Sequence, residues 1–262
     1  MIVLKEVTKT FGKKTVLDHV SLTINPGEFV CVVGKSGAGK TTLLQLLIGA
    51  ERATEGGIEV DGVDLRAIPP PVLQLYRRRV GFIFQDYRLI PHRTVRENCA
   101  FPLEACGWSD GAIRERVTDV LQILGLSALE ASLPLDLSGG EQARVAIARA
   151  VIHEPMFLLA DEPTGNLDPQ QSMEILRLFQ QIHQAGTTVI LATHDSGLVS
   201  ALQTRVVYLK DGKIVQDAKG GYPDSAQSEP ARHEILAKEP VTISSGDDAP
   251  EKRKIKITAI HS

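Results

Sequence analysis

Long apolar runs, paired cysteines and a large excess of charge are all missing from this sequence of 262 residues. No apolar run approaches the roughly 20 residues that cross a bilayer, so any membrane contact is expected to go through another chain. The formal net charge of −3 argues against nucleic-acid binding by overall electrostatics, so an anion site has to be local. The amino-terminal residues lack the basic and apolar segments of a signal peptide, and we expect none.

The three cysteines, Cys31, Cys99 and Cys106, include no CxxC pair and are odd in number. They fit neither a disulfide framework nor a zinc site, and a reducing cytoplasm is the expected compartment. Cys31 lies in the apolar run 29–33, where we predict a buried thiol without chemistry. The composition, 43% hydrophobic and 23% charged, is that of an ordinary globular protein.

Apolar periodicity predicts an α/β fold with a mainly parallel core sheet, because short apolar strands alternate with helical spacing. The strands are predicted at 29–33, 156–160, 187–192 and 205–209, and the helices at 40–48, 170–183 and 197–202. Alternation at 2–7, 16–24 and 57–63 predicts an additional antiparallel sheet near the amino terminus. The fold class is therefore α/β with a separate amino-terminal β subdomain.

The middle of the chain has helical spacing at 109–124 and 143–152, and we place a helical subdomain at about 86–153. One domain is expected over 1–217. Residues 218–262 are rich in Gly, Ser, Pro and acidic residues, which predicts a polar, mobile tail. Its basic, alternating end at 251–257 could be a short strand or a membrane-surface contact, although composition favours a solvated tail.

A glycine-rich loop at 34–41 satisfies G-x-x-x-x-G-K-[ST] between a predicted strand and a predicted helix. Backbone N–H groups in such a loop, together with the helix N-terminus, bind phosphate. Lys40 is expected to reach the β- and γ-phosphates, and the Thr41 hydroxyl to bind Mg²⁺. The predicted nucleotide contacts are Gly34, Lys35, Ser36, Gly37, Ala38, Gly39, Lys40, Thr41 and Thr42.

Two carboxylates, Asp161 and Glu162, end the predicted strand 156–160. A P-loop ATPase needs an acid on a neighbouring strand to hold the metal, and Asp161 fits that role. Glu162 emerges one residue later and fits a general base that orients the attacking water. Alone, such a pair of carboxylates would indicate a solvated turn. It indicates a metal ligand and a base here because the same sequence contains the glycine-rich loop.

Residues 137–141, Leu-Ser-Gly-Gly-Glu, place a serine N-cap and two glycines before a predicted helix. This segment resembles the signature of the ABC-type ATPases, and it lies in the expected order between the phosphate loop and the acidic strand. The resemblance implies a P-loop NTPase fold in which Ser138, Gly139 and Gly140 close on ATP bound by a second subunit. A homodimer with two ATP sites is expected.

Other positions match the family one by one. Gln85 resembles the glutamine that links metal and water to the transmembrane partner, and His194 resembles the histidine that contacts the γ-phosphate. Phe11 takes the place of the aromatic residue that stacks on adenine, and 166–168 resembles a dimer-contacting loop. The implied catalytic residues are Glu162, His194 and Gln85, and the implied metal ligands are Thr41, Gln85 and Asp161. The resemblance spans about 2–215; Glu141 replaces the commoner glutamine, and Phe11 replaces tyrosine.

Within the family, the stretch 159–168 resembles a broad group that includes the cell-division, lipoprotein-release and macrolide-exporter ATPases. The stretches 82–95 and 137–142 resemble the cell-division ATPases most, and the lipoprotein-release and macrolide-exporter ATPases are the nearest alternative. The resemblance implies an integral membrane partner, a place on the cytoplasmic face of the inner membrane at the division septum, and control of peptidoglycan hydrolysis. A slowly cycling ATP-dependent scaffold is a second alternative. A DNA-repair or chromosome ATPase head is disfavoured, because heptads and a basic stripe are missing.

Overall fold

The computed structural model describes residues 1–220. The strands are β1 (Ile2–Phe11), β2 (Lys14–Ile24), β3 (Phe29–Val33), β4 (Glu55–Val60), β5 (Val63–Asp64), β6 (Val80–Ile83), β7 (Phe157–Asp161), β8 (Thr188–Thr193), β9 (Arg205–Lys210) and β10 (Lys213–Lys219). The helices are α1 (Lys40–Leu47), α2 (Pro70–Arg77), α3 (Val95–Ala105), α4 (Asp110–Ile123), α5 (Gly139–Val151), α6 (Pro169–Gln184) and α7 (Ser196–Leu202), with 3₁₀ helices at Ser127–Leu129 and Pro134–Asp136.

The strands form two sheets, as the periodicity predicts. The core sheet has the order β10-β9-β3-β8-β7-β6, and every neighbouring pair is parallel except the edge hairpin of β9 and β10. The second sheet, β2-β1-β4-β5, is antiparallel throughout. The predicted fold class is confirmed. The loops that follow β3, β7 and β8 therefore leave the same edge of the core sheet, where ligands bind in open α/β sheets.

Strand β3 is buried on both faces, which explains why it is a continuous apolar run. Successive side chains point to opposite sides, so Cys31 and Val33 join a core with α3 to α7, while Val30 and Val32 join a core with α1 and the antiparallel sheet. Cys31 is fully buried, as predicted, and burial raises the pKa of its thiol to about 11.

Helix α5 begins at Gly139, directly after Ser138, whereas the apolar spacing predicts a helix only from residue 143. Ser138 and Glu141 form a capping box, which satisfies free N–H groups at the start of the helix. Helices α2 and α3 and strand β6 had no counterpart among the predicted elements. Strand β10 continues to Lys219, two residues past the expected domain end at 217. The remainder of the predicted tail, with its basic end at 251–257, lies outside the described residues.

The longest helix between residues 1 and 220 is α6, with 16 residues. Neither α6 nor any other helix in this range is long and apolar enough to span a membrane.

Candidate active site

The phosphate loop joins β3 to α1 and packs closely against neighbouring backbone. Gly39 is the N-cap of α1 at φ +108°, and a Cβ there would lie 2.7 Å from Leu17 Cδ2 and 2.9 Å from the Val16 carbonyl. A Cβ on Gly34 would lie 2.3 Å from the Leu209 carbonyl. Glycine is required at both positions, and the resulting loop leaves the N-terminus of α1 open to an anion.

Lys40 is almost completely buried, with 4% of its surface exposed. Its Nζ donates to the carbonyl of Gly34 at 2.8 Å and to that of Lys35 at 3.2 Å, and it lies 3.2 Å from Glu162 Oε1. These contacts fold the side chain back over the phosphate loop. The ammonium therefore lies against the carbonyls of the phosphate loop, with the carboxylate of Glu162 balancing its charge.

Glu162 connects the acidic strand to two other predicted residues. Its Oε1 pairs with Lys40, and its Oε2 lies 3.0 Å from Nδ1 of His194, which follows β8. The backbone of Glu162 is left-handed at φ 47°, a conformation that is uncommon outside glycine and clusters at functional sites. The structure therefore brings Lys40, Glu162 and His194 together, with His194 on the solvent side.

Asp161 is the last residue of β7 and lies beneath Glu162. Burial raises the pKa of its carboxyl, an effect opposed by a hydrogen bond from the Thr41 hydroxyl and by the charge of Lys40. Its Oδ1 is buried and has no hydrogen-bond partner. A buried carboxylate oxygen without a partner, next to a threonine hydroxyl at a phosphate loop, matches the hard oxygen ligands that Mg²⁺ prefers. These residues fit a magnesium ion.

A cleft of about 280 Å³ runs over the phosphate loop. Its lining residues are Lys14, Val16, Ser36, Gly37, Gly39, Lys40, Thr41, Thr42, Gln85 and Glu162. Gln85, which follows β6, is thus brought to the phosphate loop. Phe11 lies outside this lining, but it is the cross-strand partner of Lys14, 44% exposed, with Lys9 Nζ 4.5 Å from its ring centroid.

The segment 138–140 does not line this cleft within the described chain. Ser138 caps α5, donating its hydroxyl proton to Glu141 Oε2 at 2.6 Å, and its hydrogen bonds lower the pKa of Glu141. A Cβ on Gly139 would meet Leu167 Cδ2 at 3.3 Å, and one on Gly140 would meet Gln171 at 3.2 Å. The glycines therefore let the start of α5 lie close to the loop that follows β7 and to α6.

Comparison with known proteins places this geometry in a family. A family model described as "ABC transporter" matches residues 17–165, which contain the phosphate loop, the segment 137–141 and the acidic strand. The chain belongs to the ABC transporter ATPases. As an ABC ATPase it binds and hydrolyses ATP, and the phosphate loop and acidic pair are the parts of the fold suited to that reaction.

Among individual proteins, the ABC ATPase is 44% identical over 223 residues to the cell division ATP-binding protein FtsE of Bacillus subtilis, an alignment that covers 84% of this chain and 97% of the relative. It is 45% identical over 215 residues to FtsE of Escherichia coli K12, covering 82% and 97%. The dimeric structure of the ABC transporter cassette MJ0796 superimposes with a TM-score of 0.77 at 37% identity, covering 84% of this chain and 98% of that one.

Four residues near the site of the ABC ATPase were not predicted from the sequence. Lys14 and Val16 line the cleft, and Tyr87 and Arg149 support the turn after Gln85. The basic pair at 13–14, two residues after Phe11, could have indicated Lys14. The other three act through backbone contacts between distant elements, and no local pattern marks such contacts.

Proposed function

We propose that this ABC ATPase is the FtsE-type subunit of a cell-division complex, a homodimer that drives an FtsX-like integral membrane subunit. It would act at the cytoplasmic face of the inner membrane, at the division septum, and regulate peptidoglycan hydrolysis outside. The identity of more than 40% to FtsE proteins over almost their whole length supports this assignment over a lipoprotein-release or exporter role. The contacts of Glu162 are the observation that carries the hydrolytic mechanism.

Binding of ATP is proposed to rearrange the ion pairs at the phosphate loop. The ammonium of Lys40 binds phosphate oxygens instead of Glu162, so Glu162 Oε1 loses its present ion-pair partner. Glu162 Oε2 keeps its contact with His194, so the carboxylate stays oriented while one oxygen becomes available to accept a proton from water. In the absence of nucleotide the charges of Lys40 and Glu162 therefore neutralise each other. When ATP binds, Glu162 is no longer an ion-pair partner of Lys40 and can act as a base.

Thr41, Asp161 and Gln85 are the proposed residues that would hold Mg²⁺. When bound, the ion neutralises phosphate charge and orients the terminal phosphate. Asp161 is suited to this role because its Oδ1 is buried without a hydrogen-bond partner, next to the Thr41 hydroxyl that bonds the same carboxyl. Gln85 would add a neutral ligand from the cleft wall. Phe11 is proposed to stack on adenine from the end of the β1-β2 hairpin.

A second subunit is proposed to complete each site with its Ser138, Gly139 and Gly140. Two observations support this proposal. The segment does not line the cleft of its own chain, and it lies at the N-terminus of α5, where backbone N–H groups can bind an anion. The hydroxyl of Ser138 would have to exchange Glu141 for a phosphate oxygen. The glycines beside it allow that approach without a side chain in the way.

A groove of about 550 Å³ beside the Gln85 turn supports a membrane partner. It combines the half-buried ring of Phe84 and the exposed ring of Phe101 with the guanidinium groups of Arg77 and Arg88. An amphipathic segment of a membrane subunit fits such a surface, with apolar anchors and an acidic group. Because Gln85 follows directly after the groove residue Phe84, an occupant would be close to the ATP site.

The hydrolytic role is tested with Glu162→Gln, which keeps the size of the side chain and removes the base. We expect retained ATP binding, a stable ATP-bound dimer, and a loss of kcat of about 10²–10⁴. Glu174→Gln is the control, since Glu174 pairs with Arg144 on the surface. ATP turnover and gel filtration with and without ATP are the measurements. Normal turnover by Glu162→Gln would refute the assigned base.

The cellular role is tested by purifying the ABC ATPase from membranes and identifying the associated membrane subunit. Depletion of that subunit should give filamentous cells with normal lipoprotein export. Retained lipoproteins without a division defect would instead favour the lipoprotein-release role.

A further inference from the structure

The turn that follows Gln85 has an unusual backbone and is held from two directions. Tyr87 and Arg88 are consecutive non-glycine residues with positive φ, at 56° and 47°. Such a pair is uncommon, and it persists only where surrounding contacts enforce it. The conformation therefore needs an external support, and two side chains provide one.

The first support is Arg149, in the last turn of α5. Its Nη2 donates to the carbonyl of Tyr87 at 2.6 Å, and its Nη1 donates to that of Arg88 at 2.7 Å. One planar guanidinium therefore satisfies both carbonyls of the strained pair. A lysine ammonium could donate to one of these carbonyls, but it lacks the two planar N–H groups that let a guanidinium donate to both.

The second support is the Tyr87 ring, which is 5% exposed. Its hydroxyl donates to the carbonyl of Pro163 at 3.1 Å, and Pro163 directly follows Glu162. The turn is thus bonded on one side to α5, the helix capped by Ser138, and on the other to the residue after the proposed base. Gln85 lies two residues before Tyr87 and lines the cleft over the phosphate loop.

We propose that Arg149 is a positioning residue for ATP hydrolysis, which fixes the turn that presents Gln85 to the cleft. This inference rests on the proposed role of Gln85. Helix α5 is the rigid connection: Ser138 and Arg149 are separated by roughly 16 Å along its axis, at about 1.5 Å per residue. When a phosphate in the partner's site binds Ser138 at the start of α5, Arg149 at the other end of the same helix contacts the turn after Gln85. Arg149 also lines the groove, so an occupant there reaches the same contact.

The test is a double-mutant cycle on kcat with Arg149→Lys and Gln85→Ala. Arg149→Lys should lower kcat about tenfold, the effect of one lost hydrogen bond from a charged group, with KM for ATP nearly unchanged. Arg149→Lys in the Gln85→Ala background should produce no further fall, because the residue acts through Gln85. Arg116→Lys is the control: Arg116 donates to the Ile152 carbonyl at 3.0 Å and pairs with Glu154, away from the turn, and its replacement should leave kcat unchanged.

Equal falls in both backgrounds, or no fall in the wild-type background, would overturn the proposal. A Gln85→Ala variant with wild-type kcat would instead refute the role of Gln85, and with it the route assigned to Arg149. Thermal unfolding identifies a variant that fails to fold. If Arg149→Lys fails to fold, the same cycle with Tyr87→Phe decides: a fall in kcat of about fivefold that disappears without Gln85 supports the proposal, and an additive fall contradicts it.

Discussion

Replacing Asp161 by asparagine should stabilise the ligand-free ABC ATPase and abolish the part of its thermal shift with ATP that depends on Mg²⁺. The carboxyl is 5% exposed, burial raises its pKa, and its Oδ1 has no partner. An uncompensated buried polar group costs about 1–3 kcal/mol, and more when it is charged. Asparagine keeps an oxygen for the Thr41 hydroxyl and removes the charge. We expect the free energy of unfolding to rise by about 1–2 kcal/mol.

The sign follows from linkage. A carboxyl whose folded pKa exceeds its unfolded value of about 3.8 opposes folding once it is ionised, so its cost is absent at low pH and complete above the folded pKa. The gain from Asp161→Asn should therefore be greatest at neutral pH and shrink as the pH falls through the folded pKa. For a domain of this size, 1 kcal/mol corresponds to about 2–4 °C in Tm.

The assay is thermal unfolding with and without Mg-ATP, beside Asp64→Asn as the control. The backbone N–H of Arg66 lowers the pKa of Asp64, so that exchange should lower Tm slightly and keep the normal ligand shift. Asp161→Asn should raise the ligand-free Tm and show no additional shift when Mg²⁺ is added to ATP. A lower ligand-free Tm would refute the account of Asp161 as an uncompensated carboxylate, and a normal Mg²⁺-dependent shift would refute its role as a metal ligand.

Two further predictions concern adenine and the tail. Phe11→Ala should weaken ATP binding by about 1–3 kcal/mol while Phe11→Tyr binds normally, as measured by fluorescence titration; equal affinities of all three proteins would remove Phe11 from the site. Truncation after Gly220 keeps β10 whole and should leave kcat within about twofold, whereas deletion from Ala218 cuts into that strand. If the truncation lowers membrane association without changing kcat, the tail is a tether; loss of ATPase activity would contradict its assignment as a segment outside the catalytic domain.

Much of the fold follows from local patterns. The continuous apolar run of β3 and the glycine-rich loop after it predict a parallel core sheet with a phosphate site at its edge, and the structure has this arrangement. Helix α3 was missed because Pro102 lies inside it and breaks the helical pattern. Its start was available in the sequence, since Thr94 and Glu97 form a capping box.

The site was predictable where chemistry follows residue type and order, as for Lys40, Asp161 and Glu162. The ion pairs within the site could not be predicted from the sequence. The pairing of Glu162 with both Lys40 and His194 depends on a left-handed backbone at Glu162, which tertiary contacts enforce against local preference. The bond from Arg149 to the turn at Tyr87 joins residues 62 positions apart, and it too follows only from the packed fold.

The most direct test of the shared site is complementation between two inactive subunits. Lys40→Ala removes the phosphate lysine, Ser138→Arg blocks the segment that the partner contributes, and each variant alone should lack ATPase activity. A mixed dimer combines one intact phosphate loop with one intact signature segment. An equal mixture should therefore recover about a quarter of the wild-type rate, because half of the dimers carry one working site of two. A mixture as inactive as its parents, with subunit exchange verified, would contradict an ATP site built from two chains.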